Sequence, residues 1–180
     1  MSWASTSNPL NCTSTPHPLS RTTASYPFAK PGPADLVVVT KVASSFDRVV
    51  AGFGAPLFET LNPPFPKARL LRMDGNEVGH RIELELNFGL FTQPWTGVIS
   101  AQSMSSGHYW FVDRGEQLPF FLNSWEHYHG IHEDAKGETY ITDAIRFREA
   151  SWIPRFLLRC MLILLMRYRS PRYKRYFVMC

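Results

Sequence analysis

The stretch from Val78 to Phe88 alternates apolar and polar residues, and this alternation restricts the possible folds of the chain more than any other segment. Successive side chains of a β-strand point to opposite faces, so the pattern predicts an antiparallel strand with one buried face. The predicted inward face carries Val78, His80, Ile82, Leu84, Leu86 and Phe88, and the outward face carries Glu77, Arg81, Glu83, Glu85 and Asn87.

Six further strands and two short helices are predicted around this strand. The first strand is rich in β-branched residues, and the tight turn Asp74-Gly75-Asn76 precedes the alternating segment. The short helices are predicted at 44–50 and 55–61, separated by glycines and stopped by Asn62-Pro63-Pro64. The predicted strands are 36–43, 67–73, 78–88, 95–101, 109–114, 125–132 and 139–147.

A long helix is predicted near the C-terminus. Pro154 is tolerated in its first turn, and we expect it to end at Ser170-Pro171 because a proline restricts the residue before it. The helix is apolar on nearly all sides, which indicates burial on more than one face or contact with a membrane surface. Its apolar run, 160–166, is too short to span a bilayer, which needs about 20 residues.

Several local sequence segments, together with this order of elements, resemble those of a known superfamily. The segments GHRIELELNF, PWTGVIS, FVDRGEQLPFF, SWEHYH and TYITDAIRF resemble the SRPBCC (polyketide cyclase/dehydrase-like) branch of the START-like superfamily, and the ending YRSPRYKRYF is similar to that of a bacterial ligand-binding set within it. The resemblance implies an α+β helix-grip fold, in which a curved seven-stranded antiparallel sheet wraps around the C-terminal helix. It also implies an internal cavity for an apolar ligand.

Composition divides the chain into an arm and one domain. Residues 1–33 are rich in Ser, Thr and Pro and are predicted to be a disordered arm, whereas 34–177 form the START-like domain. Three scattered cysteines match no metal or redox spacing, and no secretory signal precedes the domain, so we predict a cytoplasmic protein.

The segment from Trp125 to Phe147 contains the candidate site. Alternation places His127 and His129 on the inward face of their strand and His132 on the outer face. Asp143 interrupts the apolar face of the next strand. If 134–138 form the hairpin loop, His129 lies opposite Asp143, and a loop two residues shorter would place His127 there. Either register predicts a buried His–Asp pair, since an unpaired carboxylate is costly in a dry interior.

Three interpretations of this pair remain open. The pair is structural or supplies the polar contact of a ligand cavity; it is an acid–base pair of a cyclase- or hydrolase-like enzyme; or it belongs to a two-His-one-carboxylate metal site. Without a recognisable nucleophile we favour non-catalytic binding of a hydrophobic or amphipathic small molecule, with no cofactor and no metal. The predicted ligand-binding residues are Trp125, His127, His129, Ile131, Ile141, Asp143, Ile145 and Phe147.

The end of the chain is strongly basic. Residues 35–150 carry ten basic and fifteen acidic residues, whereas 151–180 carry seven basic residues and no acid. The basic cluster is Arg167, Arg169, Arg172, Lys174 and Arg175. It fits a solvated helix end whose tyrosines and Phe177 pack on the sheet, and it also fits an anionic membrane surface. Nucleic-acid binding is disfavoured because the body of the protein is acidic.

Overall fold

The computed structural model describes residues 34–179, and the predicted N-terminal arm lies outside the described residues. Within this range the chain forms seven strands and three helices in the predicted order. The strands are β1 (Leu36–Val42), β2 (Lys67–Met73), β3 (Arg81–Asn87), β4 (Thr92–Ser105), β5 (His108–Gln117), β6 (Leu122–Glu133) and β7 (Thr139–Glu149). The helices are α1 (Phe46–Ala51), α2 (Ala55–Leu61) and α3 (Arg155–Met179).

All seven strands form one curled antiparallel sheet in the order β1-β7-β6-β5-β4-β3-β2. The first two strands in the chain are therefore the two edges, and α1 and α2 connect them. Helix α3 packs along β1, β7 and α2, so the concave face of the sheet is covered by helices. This arrangement confirms the predicted α+β helix-grip architecture.

The alternating segment forms a shorter strand than the sequence predicts. β3 begins at Arg81, and the exposed Val78 precedes it. Gly79 has a φ of 89°, a conformation that side-chain-bearing residues rarely adopt, and it breaks the extended run. Leu84 and Leu86 are buried as the alternation predicts.

Helix α3 does not end at Ser170-Pro171, as the sequence predicts, but continues to Met179 with Pro171 inside it. An internal proline removes one helical hydrogen bond and costs about 3 kcal/mol. Beyond it, Tyr173, Tyr176 and Phe177 are all buried in the core. Burying three aromatic side chains offsets the cost of the proline, at roughly 1.5–3 kcal/mol for each large apolar side chain. In the described range no helix is long and apolar enough to cross a bilayer.

Candidate functional site

The hairpin β6–β7 sets the geometry of the predicted pair. Of the two registers that the sequence allows, the structure has the one with His129 directly opposite Asp143 and Trp125 opposite Phe147. In the same β6–β7 ladder His127 lies opposite Ile145, one diagonal step from Asp143. Both histidines nevertheless reach the same carboxylate.

Asp143 is the centre of a buried polar cluster, and its side chain is only 1% exposed. Its Oδ1 atom lies 2.9 Å from Nε2 of His127 and accepts a hydrogen bond from the Tyr173 hydroxyl at 3.4 Å. Nδ1 of His129 lies 3.3 Å from the same oxygen but is not aligned for a hydrogen bond. The two imidazole rings lie against each other with centroids 3.8 Å apart.

Burial and pairing act in opposite directions on the charge of Asp143. Burial disfavours the carboxylate, but the contacts with His127 and His129 outweigh it and lower its pKa below the usual value. Burial also lowers the pKa of both histidines, and the neighbouring Asp143 only partly offsets this. The cluster therefore holds one carboxylate and two neutral imidazoles near neutral pH.

The same three residues have the donor types of a metal site, with candidate ligand atoms within 4.8 Å of one another. In the present arrangement the Asp143 oxygen already faces Nε2 of His127 at hydrogen-bond distance. An ion would have to replace that hydrogen bond.

A cavity of about 430 Å³ lies between the sheet, α2 and α3, and side chains of both helices and several strands form its wall. Most of these side chains are apolar, and they include Trp95 and Trp125, whose rings meet edge to face. Phe65, Met161 and Leu164 line the cavity and are also exposed to solvent, so they mark its mouth.

The predicted ligand-binding residues divide into three groups in the structure. Trp125, His127 and His129 line the cavity, and Asp143 is buried against the two histidines without lining the cavity itself. The other four do not line the cavity and lie in the hydrophobic core, packed with residues of α1 and α3. These four are Ile131, Ile141, Ile145 and Phe147.

Two charged residues of the cavity wall, Asp113 and Arg169, were not among the predicted ligand-binding residues. Asp113 on β5 is buried, and its Oδ1 atom has no hydrogen-bond partner among the described residues. Burial raises the pKa of Asp113 to about 7, and attraction by Arg169 only partly opposes this. The signal for Asp113 was present in the sequence, because it alternates with Tyr109 and Phe111 on one strand face. Arg169 carried no such signal, since its direction depends on how α3 lies on the sheet.

Backbone packing supports the position of the Asp113 carboxylate. Gly97 on β4 lies directly beneath it, and a Cβ atom at Gly97 would overlap its Oδ1 atom. The glycine is required here for close approach rather than for an unusual φ.

Unpaired polar atoms are concentrated at this cavity. Seven buried side-chain atoms lack a hydrogen-bond partner within residues 34–179, and five of them belong to residues that line the cavity. Buried polar groups in folded proteins almost always have partners, so such a concentration marks a place where a ligand or water supplies them. The five atoms are Oδ1 of Asn76, Oδ1 of Asp113, Nε1 of Trp125, Nδ1 of His129 and Nε of Arg169.

The basic cluster of α3 does not form one surface. Arg169 lines the cavity, and the guanidinium of Arg172 stacks on the Tyr168 ring at 3.2 Å. The remaining members, Arg167, Lys174 and Arg175, are exposed on α3.

Comparison with solved structures identifies the fold. A START superfamily protein from Mycobacterium smegmatis matches with a TM-score of 0.61 at 10% identity, covering 79% of this chain and 95% of that chain. A protein from Chromobacterium violaceum matches with a TM-score of 0.57 at 13% identity, over 79% and 95% of the two chains. The major latex-like protein 151 of Panax ginseng matches with a TM-score of 0.51 at 15% identity, over 77% and 95%.

No family model matches the sequence, and no curated protein matches it. The structural matches confirm the START-like fold that the sequence segments indicated. At identities of 10–15% they assign no role to any residue of this chain.

Proposed function

We propose that this chain, which has the START-like helix-grip fold, binds an amphipathic small molecule in the cavity between the sheet and α3. One observation carries the proposal: the residues that line an apolar cavity of about 430 Å³ carry five of the seven unpaired buried polar atoms of residues 34–179. An apolar wall with a few convergent polar groups is the usual composition of a small-molecule site.

The size and lining of the cavity fit the apolar part of such a ligand. Ligand pockets commonly enclose roughly 300–1,000 Å³, and this cavity falls within that range. Trp95, Trp125 and Phe111 provide large flat surfaces in its wall. Burying apolar ligand surface against them is favourable by about 25 cal/mol per Å².

The unpaired atoms define the polar part of the ligand. Trp125 Nε1 and Arg169 Nε are donors, and they require an acceptor such as a carbonyl or carboxylate oxygen. Asn76 Oδ1 and an ionised Asp113 are acceptors, and they require a hydroxyl or amine donor. A buried polar atom without a partner costs about 1–3 kcal/mol, so a ligand that supplies both kinds of group gains affinity over a plain hydrocarbon.

Binding is favoured over nucleophilic catalysis and over a His127 general base by what the cavity wall offers. The described residues that line it include no Ser, Thr, Cys or Lys side chain to act as a nucleophile. His127 is oriented by Asp143 as a general base would be, but burial lowers its pKa below its ordinary value. A general base works best with a pKa near the operating pH, so His127 is poorly suited to that role.

Fluorescence titration of the full chain with cis-parinaric acid, a fluorescent fatty acid, tests the proposal. Trp95 and Trp125 lie in the cavity wall, so bound probe should be excited by energy transfer from tryptophan. Ala68→Phe adds volume at a buried wall position and should weaken binding roughly tenfold, since filling the site removes contact area with the probe. Met104→Ser, at an exposed position on β4 outside the cavity, should leave binding unchanged.

A second measurement covers the case in which Ala68→Phe does not fold. Parinaric acid and its methyl ester differ only at the polar end, and the variant Trp125→Phe removes one donor there while keeping an apolar ring. We expect the variant to reduce the preference for the acid over the ester. Equal binding of the probe by wild type and all variants would contradict the proposal, as would no saturable binding at all.

A further inference from the structure

A continuous row of aromatic rings lies on the surface beside the cavity. Phe65 contacts Phe88 with ring centroids 6.0 Å apart, and Phe88 stacks on Phe91 at 5.1 Å. The row continues through Phe120, 5.9 Å from Phe91, to Trp152 at 5.6 Å. We call these five residues the aromatic rim. They come from four separate loops, so the rim is assembled by the fold and not by one segment.

The rim and the neighbouring Leu90 expose large apolar side chains to solvent. Phe65 and Trp152 are 64% and 65% exposed, and Leu90, in the loop between Phe88 and Phe91, is 98% exposed. Exposed apolar residues are common singly, but a contiguous group of large ones marks an interaction surface.

Helix α3 extends this surface with a second exposed face. Phe156, Cys160 and Leu164 follow helical spacing on the solvent side, and Leu157 and Met161 flank them. The same face continues through Arg167, Pro171 and Lys174, with Arg175 beside them. Along this line α3 exposes apolar side chains in its first half and cations in its second half, while Arg159 is exposed beside the apolar part and Val178 is exposed at the end.

The mouth of the cavity lies between the rim and this face. Phe65 of the rim and Met161 and Leu164 of α3 are exposed and also line the cavity. Phe121, another cavity residue, contacts both Phe88 and Phe120 of the rim. The apolar surface is therefore continuous with the cavity wall.

We propose that the aromatic rim and the exposed face of α3 dock on an anionic lipid bilayer. A bilayer offers an apolar interior to the rim and negative headgroups to the cations on one surface, and this combination matches the order of residues along α3. If docking also serves to exchange a ligand between the bilayer and the cavity, that role rests on the proposed function. The docking surface itself does not rest on it.

Charge favours a bilayer over a second copy of the chain. Arg167, Lys174 and Arg175 make no ion pair within the described residues. Residues 151–180 contain no acidic residue, so two copies packed along α3 would bring cations together without partners. Anionic headgroups supply the missing negative charge.

Vesicle flotation with the full chain tests this surface, using vesicles of phosphatidylcholine with and without phosphatidylserine. We expect binding to the vesicles that contain phosphatidylserine. The double variant Leu90→Ser and Trp152→Ser removes two exposed apolar side chains and should weaken that binding roughly tenfold. Lys174→Gln and Arg175→Gln should each weaken it roughly fivefold, and only when phosphatidylserine is present.

Met104→Ser is the matched control. Met104 is an exposed apolar residue at the far end of β4 from the rim, so its removal should not change vesicle binding. Leu90 and Trp152 do not line the cavity, so the double variant should still bind parinaric acid. This separates the two proposals: loss of vesicle binding with probe binding intact supports the docking surface alone.

Two results would overturn the docking proposal. One is vesicle binding that is absent, or that is unaffected by the Leu90 and Trp152 substitutions. The other is a change of oligomeric state: if the wild type sediments as a dimer and the double variant as a monomer, the rim is an interface between copies. Failure of parinaric acid binding with rim-dependent vesicle binding would instead remove the proposed function and leave this surface standing.

Discussion

Strand β6 lies between two inward-facing carboxylates, and their surroundings differ sharply. Asp143 on β7 lies within 3.4 Å of His127, His129 and Tyr173. On β5, Asp113 is also buried, but its Oδ1 atom has no partner within residues 34–179. The pKa of Asp143 is lowered by its partners, whereas burial raises the pKa of Asp113 to about 7.

The difference does not come from the strand register alone. His127 lies directly opposite Asp113 in the β5–β6 ladder, yet its Nε2 atom bonds to Asp143 on the other side. Register places residues side by side, but the direction of each side chain decides which of them pair. The Asp143 carboxylate is enclosed by its partners, whereas Asp113 lines the cavity with an unpaired Oδ1 atom.

The largest expected effect comes from removing the paired carboxylate. Asp143→Ala leaves the buried His127 imidazole and the Tyr173 hydroxyl without their hydrogen-bond partner, and it opens a small void. Each buried polar group left unpaired costs about 1–3 kcal/mol, so we expect a total loss of about 2–6 kcal/mol. Urea unfolding monitored by tryptophan fluorescence should show a decrease of this size in the free energy of unfolding.

His132→Ala is the control for this prediction. His132 lies on the outer face of β6, where its ring stacks on Tyr140 with centroids 5.1 Å apart. It has no contact with Asp143, and a surface substitution of this kind should change stability by no more than about 0.5 kcal/mol. Similar losses in both variants would show that the Asp143 cluster has no special role.

A smaller change in stability, in this case a gain, is expected when the unpaired carboxylate is replaced, and its size depends on pH. The pKa of Asp113 in the folded state, about 7, lies above its ordinary value of 3.8, so the folded protein holds this proton more tightly. The wild type therefore loses stability as pH rises from about 4 to about 7. Asp113→Asn removes the charge, and at about pH 8 it should be more stable than the wild type by up to about 4 kcal/mol.

Measuring unfolding at two pH values checks the sign. Near pH 4 Asp113 is protonated in the folded state, so the variant and the wild type should be nearly equal in stability. A variant that is less stable than the wild type at about pH 8 would mean that the Asp113 carboxylate has a favourable partner. The contrast with Asp143 would then disappear.

The smallest expected effect concerns the glycine beneath Asp113. Gly97→Ala would push a methyl group against the carboxylate and should cost about 1 kcal/mol. Adding Asp113→Ala should recover most of this loss, because the atom that collides is then absent. Strictly additive losses in the double variant, measured by thermal unfolding, would show that the two residues do not contact each other.

The sequence predicted much of the fold because its signals are local. Alternation on single strands identified the sheet and limited the β6–β7 hairpin to two registers, of which the structure has the one that puts His129 opposite Asp143. The same alternation correctly turned His127, His129 and Asp143 inward, where they are buried or nearly so. These features depend on residues that are close together in the chain.

What the sequence by itself determined is therefore the order of elements and the buried His–Asp pair, with two hairpin registers left open. Only the tertiary structure decided that α3 continues through Pro171, because the gain comes from burying Tyr173, Tyr176 and Phe177 in a core built by distant strands. It also decided that Arg169 lies in the cavity wall and that Asp113 lacks a partner. Both depend on how the curled sheet packs against a helix that is more than fifty residues away in the chain. Neither strand alternation nor helical periodicity predicts that contact.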